Sequence, residues 1–222
     1  MARCELTHLA REPIDVARAR AQHARYAQAL ADLGCAVAEV SPAPDLPDSV
    51  FVEDTALVLD EIAIVTRPGA PSRRPEVEDV HAALARYRPV IRIKAPGTMD
   101  GGDLLRVGRT IFVGRSSRTN DHGISQFSAI AAPHSYDVRP VEVSGCLHLK
   151  SAATAIGDAM LLVNRSWISA ASLAPFEVVD VDPSEPKAAN LSVSAAGCWP
   201  PLPSRGHATG SNDADSKLRR ST

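Results

Sequence analysis

Aromatic side chains are scarce in this chain, at 4% of 222 residues, which leaves few platforms on which nucleic-acid bases could stack. Charge of one sign is also lacking. A formal net charge of −2 supplies neither the basic stripe that nucleic acid requires nor the polybasic face of a membrane-surface protein. No run of 18 apolar residues occurs, so no segment reads as a membrane-spanning helix. Met1-Ala2-Arg3-Cys4-Glu5 opens without the apolar core of a secretory leader. The four cysteines, Cys4, Cys35, Cys146 and Cys198, are widely spaced and contain no CxxC pair, the common spacing of zinc and dithiol sites. These absences argue for a cytoplasmic, reducing setting with no nucleic acid and no membrane as partner. What remains is ordinary: 45% hydrophobic residues, enough chain for one large or two small domains with a real core.

Taken in order, the chain repeats. Residues 13–33 have helical apolar spacing at Ile14, Ala17, Ala21, Ala24 and Leu30, with Pro13 in the first turn and Gly34 just past the end. Residues 35–40 read as a short strand and 41–47 as a Pro/Asp-rich loop. Residues 55–59 and 62–65 then read as two strands around a tight turn at Asp60-Glu61, followed by a helix over 75–87 and a strand over 90–93. The same series returns at 103–107 and 110–114 around Gly108-Arg109, with a weakly helical stretch over 120–132 and an extended one over 136–143. A third hairpin occupies 152–156 and 160–163 around Gly157-Asp158, and an extended stretch runs over 176–182. Val65, Val113 and Val163 occupy equivalent positions, at intervals of 48 and 50 residues. Self-similarity at such a period marks an array of supersecondary units, here strand, strand, helix, strand. Beyond residue 198 the chain is rich in Pro, Ser, Gly and Arg with little apolar periodicity, the texture of a disordered tail.

The candidate chemistry sits at the entrances to the three hairpins. Phe51-Val52-Glu53-Asp54-Thr55-Ala56 places two carboxylates at the mouth of an apolar strand. They either face water at a strand start or hold something cationic, because an uncompensated buried polar group costs about 2–7 kcal/mol. Asp100-Gly101-Gly102-Asp103 stands in the same place before the second hairpin, as a turn with solvated acids or as acids able to orient a histidine or bind a cation. Cys146-Leu147-His148-Leu149-Lys150 precedes the third; on a strand, Cys146, His148 and Lys150 would share a face. In a pseudo-symmetric array the three entrances converge, which brings Glu53, Asp54, Asp100 and His148 near one axis. Arg118 can fork onto a carboxylate or remain a solvated loop arginine, and Asn120 can be a helix N-cap.

Asp48 through Ala56, Thr66 through Arg74, Asp100 through Asp103, Arg118-Thr119-Asn120 and Leu147 through Lys150 together resemble dimethylarginine dimethylaminohydrolase, in the guanidine-modifying pentein superfamily. The resemblance runs from about Leu6 to Asn190. It implies an α/β propeller of five strand-strand-helix-strand modules, with residues 1–190 as an incomplete catalytic-type domain of about four modules, the fifth largely missing, and 191–222 as an aberrant tail. It implies a cysteine thiolate attacking the guanidinium carbon of an Nω-methylated arginine, loss of methylamine or dimethylamine, and hydrolysis to citrulline without metal or cofactor. By position, His148 matches the general acid/base and Asp100 the carboxylate that orients it. Asp48, Glu53 and Asp54 match the acids that hold the guanidinium, Arg73 and Arg118 the clamp on the α-carboxylate, and Leu6 a lid residue. The family nucleophile is a cysteine near the C-terminus. After Asn190 no matching motif follows, and Cys198 in Ala-Gly-Cys-Trp-Pro is not assigned that role. The change of texture there reads as a shifted frame or altered gene end, with exposed strand edges that would favour self-association. Two further readings are a non-catalytic guanidine-binding or vestigial protein and an arginine deiminase-like enzyme.

Overall fold

The computed structural model describes residues 4, 13–41 and 43–190. Its framework is three copies of one sheet. In the first, β1 (Ala56–Val58) pairs antiparallel with β2 (Ala63–Val65), which pairs parallel with β3 (Val90–Arg92). In the second, β4 (Leu104–Val107), β5 (Thr110–Arg115) and β6 (Asp137–Glu142) repeat that order, as do β7 (Ala153–Ala155), β8 (Met160–Val163) and β9 (Glu177–Asp180) in the third. A parallel pairing needs a crossover. The first sheet uses a 3-10 turn at Pro71–Glu76 followed by α2 (Val77–Leu84), and the second uses α3 (Asp121–Ala131), with Asn120 as its side-chain N-cap.

The central sheet divides the interior. Leu104, Ile111 and Val113 point into a core shared with the first sheet, where they meet Leu59, Ile64 and Met99. Their neighbours Leu105 and Phe112 point the other way, onto Leu161, Val163 and Leu173 of the third module. Successive strand residues face opposite sides, so a strand wanted by two cores must be apolar at both parities, which accounts for the unbroken Ile111-Phe112-Val113 run. At the periphery, the turns of the first two hairpins are tied by charge. Arg109 Nη1 donates to Glu61 at 2.7 Å and Arg106 to Asp60 at 3.2 Å, with Arg109 stacked 4.5 Å above the ring of Tyr136. The hairpin entrances of the three modules meet at one end, where Asp54, Asp100 and His148 approach one another.

Several expectations fail here. The chain at 35–40 has no strand partner among the described residues, so it is not a strand: extended backbone becomes one only when a neighbouring edge accepts its hydrogen bonds. The first helix forms as α1 (Val16–Asp32), with Asp15 capping Arg18 N–H at 3.0 Å, yet none of its residues is buried. The third crossover carries only a 3-10 turn at Ala170–Leu173 instead of an α-helix, because Pro175 follows too soon to extend it. Residues 146–150 are not a strand either. His148 is the extended N-cap residue of a single helical turn, α4 (Leu149–Ala152), and Lys150 turns away to pair with Glu53. Among the described residues no helix is long and apolar enough to cross a membrane. The tail 191–222, with Cys198, lies outside the described residues, as does Leu6.

Candidate active site

Three backbone devices build the site. A 3-10 turn at Val52–Thr55 lifts Asp54 out of the strand direction, and the Thr66 hydroxyl donates to the Asp54 carbonyl at 2.8 Å to fix it. A second turn, Gly101–Asp103, packs directly on the first. A Cβ on Gly101 would lie 2.0 Å from the Glu53 carbonyl oxygen, and one on Gly102 would lie 2.6 Å from the His148 ring and 2.9 Å from Asp54 Oδ1. Only glycines let the two turns and the imidazole approach this closely. The third device is the helical turn after His148, which points the imidazole back at both.

The imidazole is surrounded by carboxylates. His148 Nε2 lies 3.8 Å from Asp54 Oδ1 and 4.0 Å from Asp100 Oδ2, while Nδ1 lies 3.5 Å from Asp103 Oδ2. Burial alone would lower the His148 pKa, but the hydrogen-bonding reach and charge of Asp103, with the charges of Asp54 and Asp100, hold it above its ordinary value. Asp100 is fully buried, and that desolvation raises its pKa against the opposing pull of the Gly69 N–H, His148 and Arg118. Its two oxygens differ. Oδ1 accepts the Gly69 N–H at 2.8 Å, whereas Oδ2 accepts no hydrogen bond among the described residues and has Arg118 Nη1 3.6 Å away.

Arg73 is buried in a shell of the protein's own acceptors. Nη1 donates to Asp54 Oδ2 at 2.7 Å, Nε and Nη2 both reach Glu76 Oε2 at 3.0 and 2.9 Å, and Nη2 also meets the Asp48 carbonyl at 3.2 Å. The desolvation that would favour losing its proton is outweighed by Glu76 and Asp54, so its pKa is raised and it stays charged. Burial pushes the Glu76 carboxyl up in turn, despite the bonds from Arg73. Asp54 therefore spends Oδ2 on Arg73 and keeps Oδ1, bonded by the Gly102 N–H at 3.1 Å, on the His148 side.

Of the residues singled out from sequence, Asp54, Asp100 and His148 meet at one point, Arg118 borders it through Asp100, and Arg73 backs it through Asp54. Asp48 is buried behind Arg73, while Glu53 is exposed and turned toward Lys150. Asp100, expected to orient the imidazole, faces Nε2, and the carboxylate nearest Nδ1 belongs to Asp103. Asp103 and Glu76 complete the cluster as acids additional to those expected from sequence. The signals were present, an acid three residues after Asp100 across two glycines and an acid three residues after Arg73. Cys146 is close in sequence, but burial and then Asp103 push its thiol up to about 11, and its Sγ–H donates to the His148 carbonyl at 3.3 Å. Such a thiol is protonated at neutral pH and a poor nucleophile.

No family model matches the chain. Among characterised sequences it is similar to N(G),N(G)-dimethylarginine dimethylaminohydrolase of Streptomyces coelicolor, with 44% identity over 171 residues, spanning 77% of this chain and 66% of the relative. It is 37% identical over 178 residues to the Pseudomonas aeruginosa protein of the same name, spanning 79% of this chain and 70% of the relative. A crystal structure of a cysteine-to-serine mutant of that Pseudomonas protein, complexed with citrulline, matches with a TM-score of 0.75 over 79% of this chain and 70% of the other. The N-terminal domain of ArgZ, a cyanobacterial arginine dihydrolase, shares the fold at 21% identity, with a TM-score of 0.69 over 78% of this chain and 68% of that one. The chain thus spans about two thirds of the length of the relatives it matches. Its three modules are those of the pentein α/β propeller, and the chain belongs to the dimethylarginine dimethylaminohydrolase family.

Proposed function

We propose that the site binds the guanidinium end of an Nω-methylated arginine between Asp54, Asp100 and His148, for hydrolysis to citrulline and methylamine or dimethylamine. The observation that carries this reading is the Oδ2 of Asp100, fully buried and without a hydrogen bond among the described residues, beside Asp54 Oδ1 and His148 Nε2. A guanidinium is a planar cation with donors at fixed angles, and it satisfies two such oxygens at once. In the proposed reaction a cysteine thiolate adds to the guanidinium carbon. His148 delivers a proton to the departing amine, then takes one from the water that resolves the thiouronium adduct into citrulline. Arg118 and Arg73 supply positive charge for the substrate carboxylate. Arg73 commits one Nη1–H, its Nε–H and both Nη2–H groups internally, so its share is one remaining Nη1–H and its charge. The nucleophile is left to residues outside those described.

Guanidine binding without turnover is the second reading, because burial pushes up the thiol of Cys146, the described cysteine nearest His148 in sequence. The full chain is incubated with asymmetric dimethylarginine, and citrulline and dimethylamine are quantified. Formation of both in equal amounts, lost in His148→Gln, supports the hydrolase. Saturable binding with no product supports the second reading. Ammonia released from unmethylated arginine in preference would point to deiminase-like activity instead, and absence of both binding and turnover overturns the assignment. Turnover abolished by Cys198→Ser would identify that residue as the nucleophile.

A further inference from the structure

We propose that Asp103 is a positioning residue that fixes the imidazole of His148 in its Nδ1–H tautomer and, through the same carboxylate, anchors the loop carrying Arg118. The proposal rests on His148 acting at the site as described above.

Asp103 is fully buried and surrounded by donors. Its Oδ1 accepts the backbone N–H of Leu149 at 3.0 Å, gripping the chain one residue beyond His148. Its Oδ2 accepts the hydroxyls of Ser116 at 2.6 Å and Thr119 at 2.7 Å, and is the carboxylate oxygen facing His148 Nδ1 at 3.5 Å. Room for this comes from Gly114, where a Cβ would lie 2.8 Å from Asp103 Oδ1 and 2.9 Å from Leu149 Cβ. That Nδ1 distance is at the outer limit of a hydrogen bond, and Nδ1 has no hydrogen-bond partner among the described residues. With Nδ1 holding the proton, Nε2 is the nitrogen left toward Asp54 and Asp100, where the substrate binds.

The same two hydroxyls shape the loop between β5 and α3. Ser116 Oγ accepts the N–H of Arg118 at 3.0 Å and of Thr119 at 3.3 Å, and Thr119 Oγ1 accepts the Asp100 N–H at 3.2 Å. One carboxylate therefore sets both the acid/base group and the loop of the cationic clamp. The charged groups facing His148 are Asp103 on one side and Asp54 and Asp100 on the other, the latter two carrying Arg73 and Arg118 behind them. Lys150 is committed to Glu53, and Cys146 Sγ to the His148 carbonyl.

The test reads the imidazole itself. The full chain is labelled with 15N-histidine, and the tautomer and titration midpoint of His148 are followed by NMR, its signal identified by loss in His148→Gln. Asp103→Asn should shift the population away from the Nδ1–H tautomer and lower the midpoint. Ser116→Ala removes a donor from Oδ2, concentrates charge there, and should raise the midpoint while keeping that tautomer. General loosening of the fold moves both variants in one direction, so opposite signs support the proposal. A midpoint unchanged or raised in Asp103→Asn overturns it, as does a midpoint unchanged or lowered in Ser116→Ala. Should Asp103→Asn fail to fold, Ser116→Ala decides alone. The measurement needs no substrate, so a chain that neither binds nor turns over dimethylarginine would refute the functional reading and leave this result standing.

Discussion

The outer helix α1 and the converging hairpin entrances respond to the same sequence logic in opposite ways. Residues 16–32 have a clean amphipathic pattern and a satisfied N-cap, and fold into the longest helix among the described residues, yet none of them is buried. The entrances at 52–55 and 101–103 are short, irregular and acidic, yet Asp54, Asp100 and Asp103 are all buried. Periodicity dictates the shape of a segment and is silent on what covers it. The burial of an acid is dictated by partners far along the chain, as the bonds of Asp54 to Arg73 and Gly102 illustrate. Substitutions should therefore be tolerated along α1 and punished at the entrances.

The sharpest contrast comes from Arg73→Met, which removes the cation from between Asp54 and Glu76 and leaves two buried acids facing each other. Breaking a buried pair in this way costs about 3–5 kcal/mol, read as a loss of unfolding free energy in urea. Gly102→Ala comes next. Its methyl would collide with the His148 ring and Asp54 Oδ1, and the rearrangement costs about 1–3 kcal/mol together with dimethylarginine binding. Denaturant unfolding and calorimetric titration check both parts.

A pH effect of smaller size separates the two regions without mutation. The folded-state pKa of His148 lies above its ordinary value of 6.5, so the stability that it contributes is present below 6.5 and is lost as pH rises through the higher folded value. The thermal midpoint should decline over that window, and His148→Gln should flatten the slope. Asp100 and Glu76, also raised, add losses of the same sign at lower pH, above their ordinary 3.8 and 4.5. At the far end, Tyr26→Ser on α1 should change stability by no more than about 0.5 kcal/mol. A large loss there would mean that α1 is covered in solution and would undo the comparison.

The hairpins were legible because each is a pair of apolar runs around a two-residue turn, and strand pairing within a hairpin is local. The parallel partners followed from the repeat. The strand expected at 35–40 depended on a neighbour that no local pattern reveals, and the third crossover was short of residues before Pro175. At the site, residue types were readable but directions were not. Whether Asp100 or Asp103 meets Nδ1 depends on how a three-residue turn winds, and Arg73 found Glu76 because a 3-10 turn brings residues three apart together. Lys150 left the face that it would share with His148 when the chain turned helical after residue 148.

The proposed guanidinium acceptor is Asp100 Oδ2, buried and without a hydrogen bond among the described residues. The most direct measurement is calorimetric titration of asymmetric dimethylarginine into the full chain and into Asp100→Asn, with the fold of the variant checked by circular dichroism. The expected result is saturable one-to-one binding that weakens at least tenfold in the folded variant. Equal affinity in the two proteins, or no binding by the full chain, would contradict it.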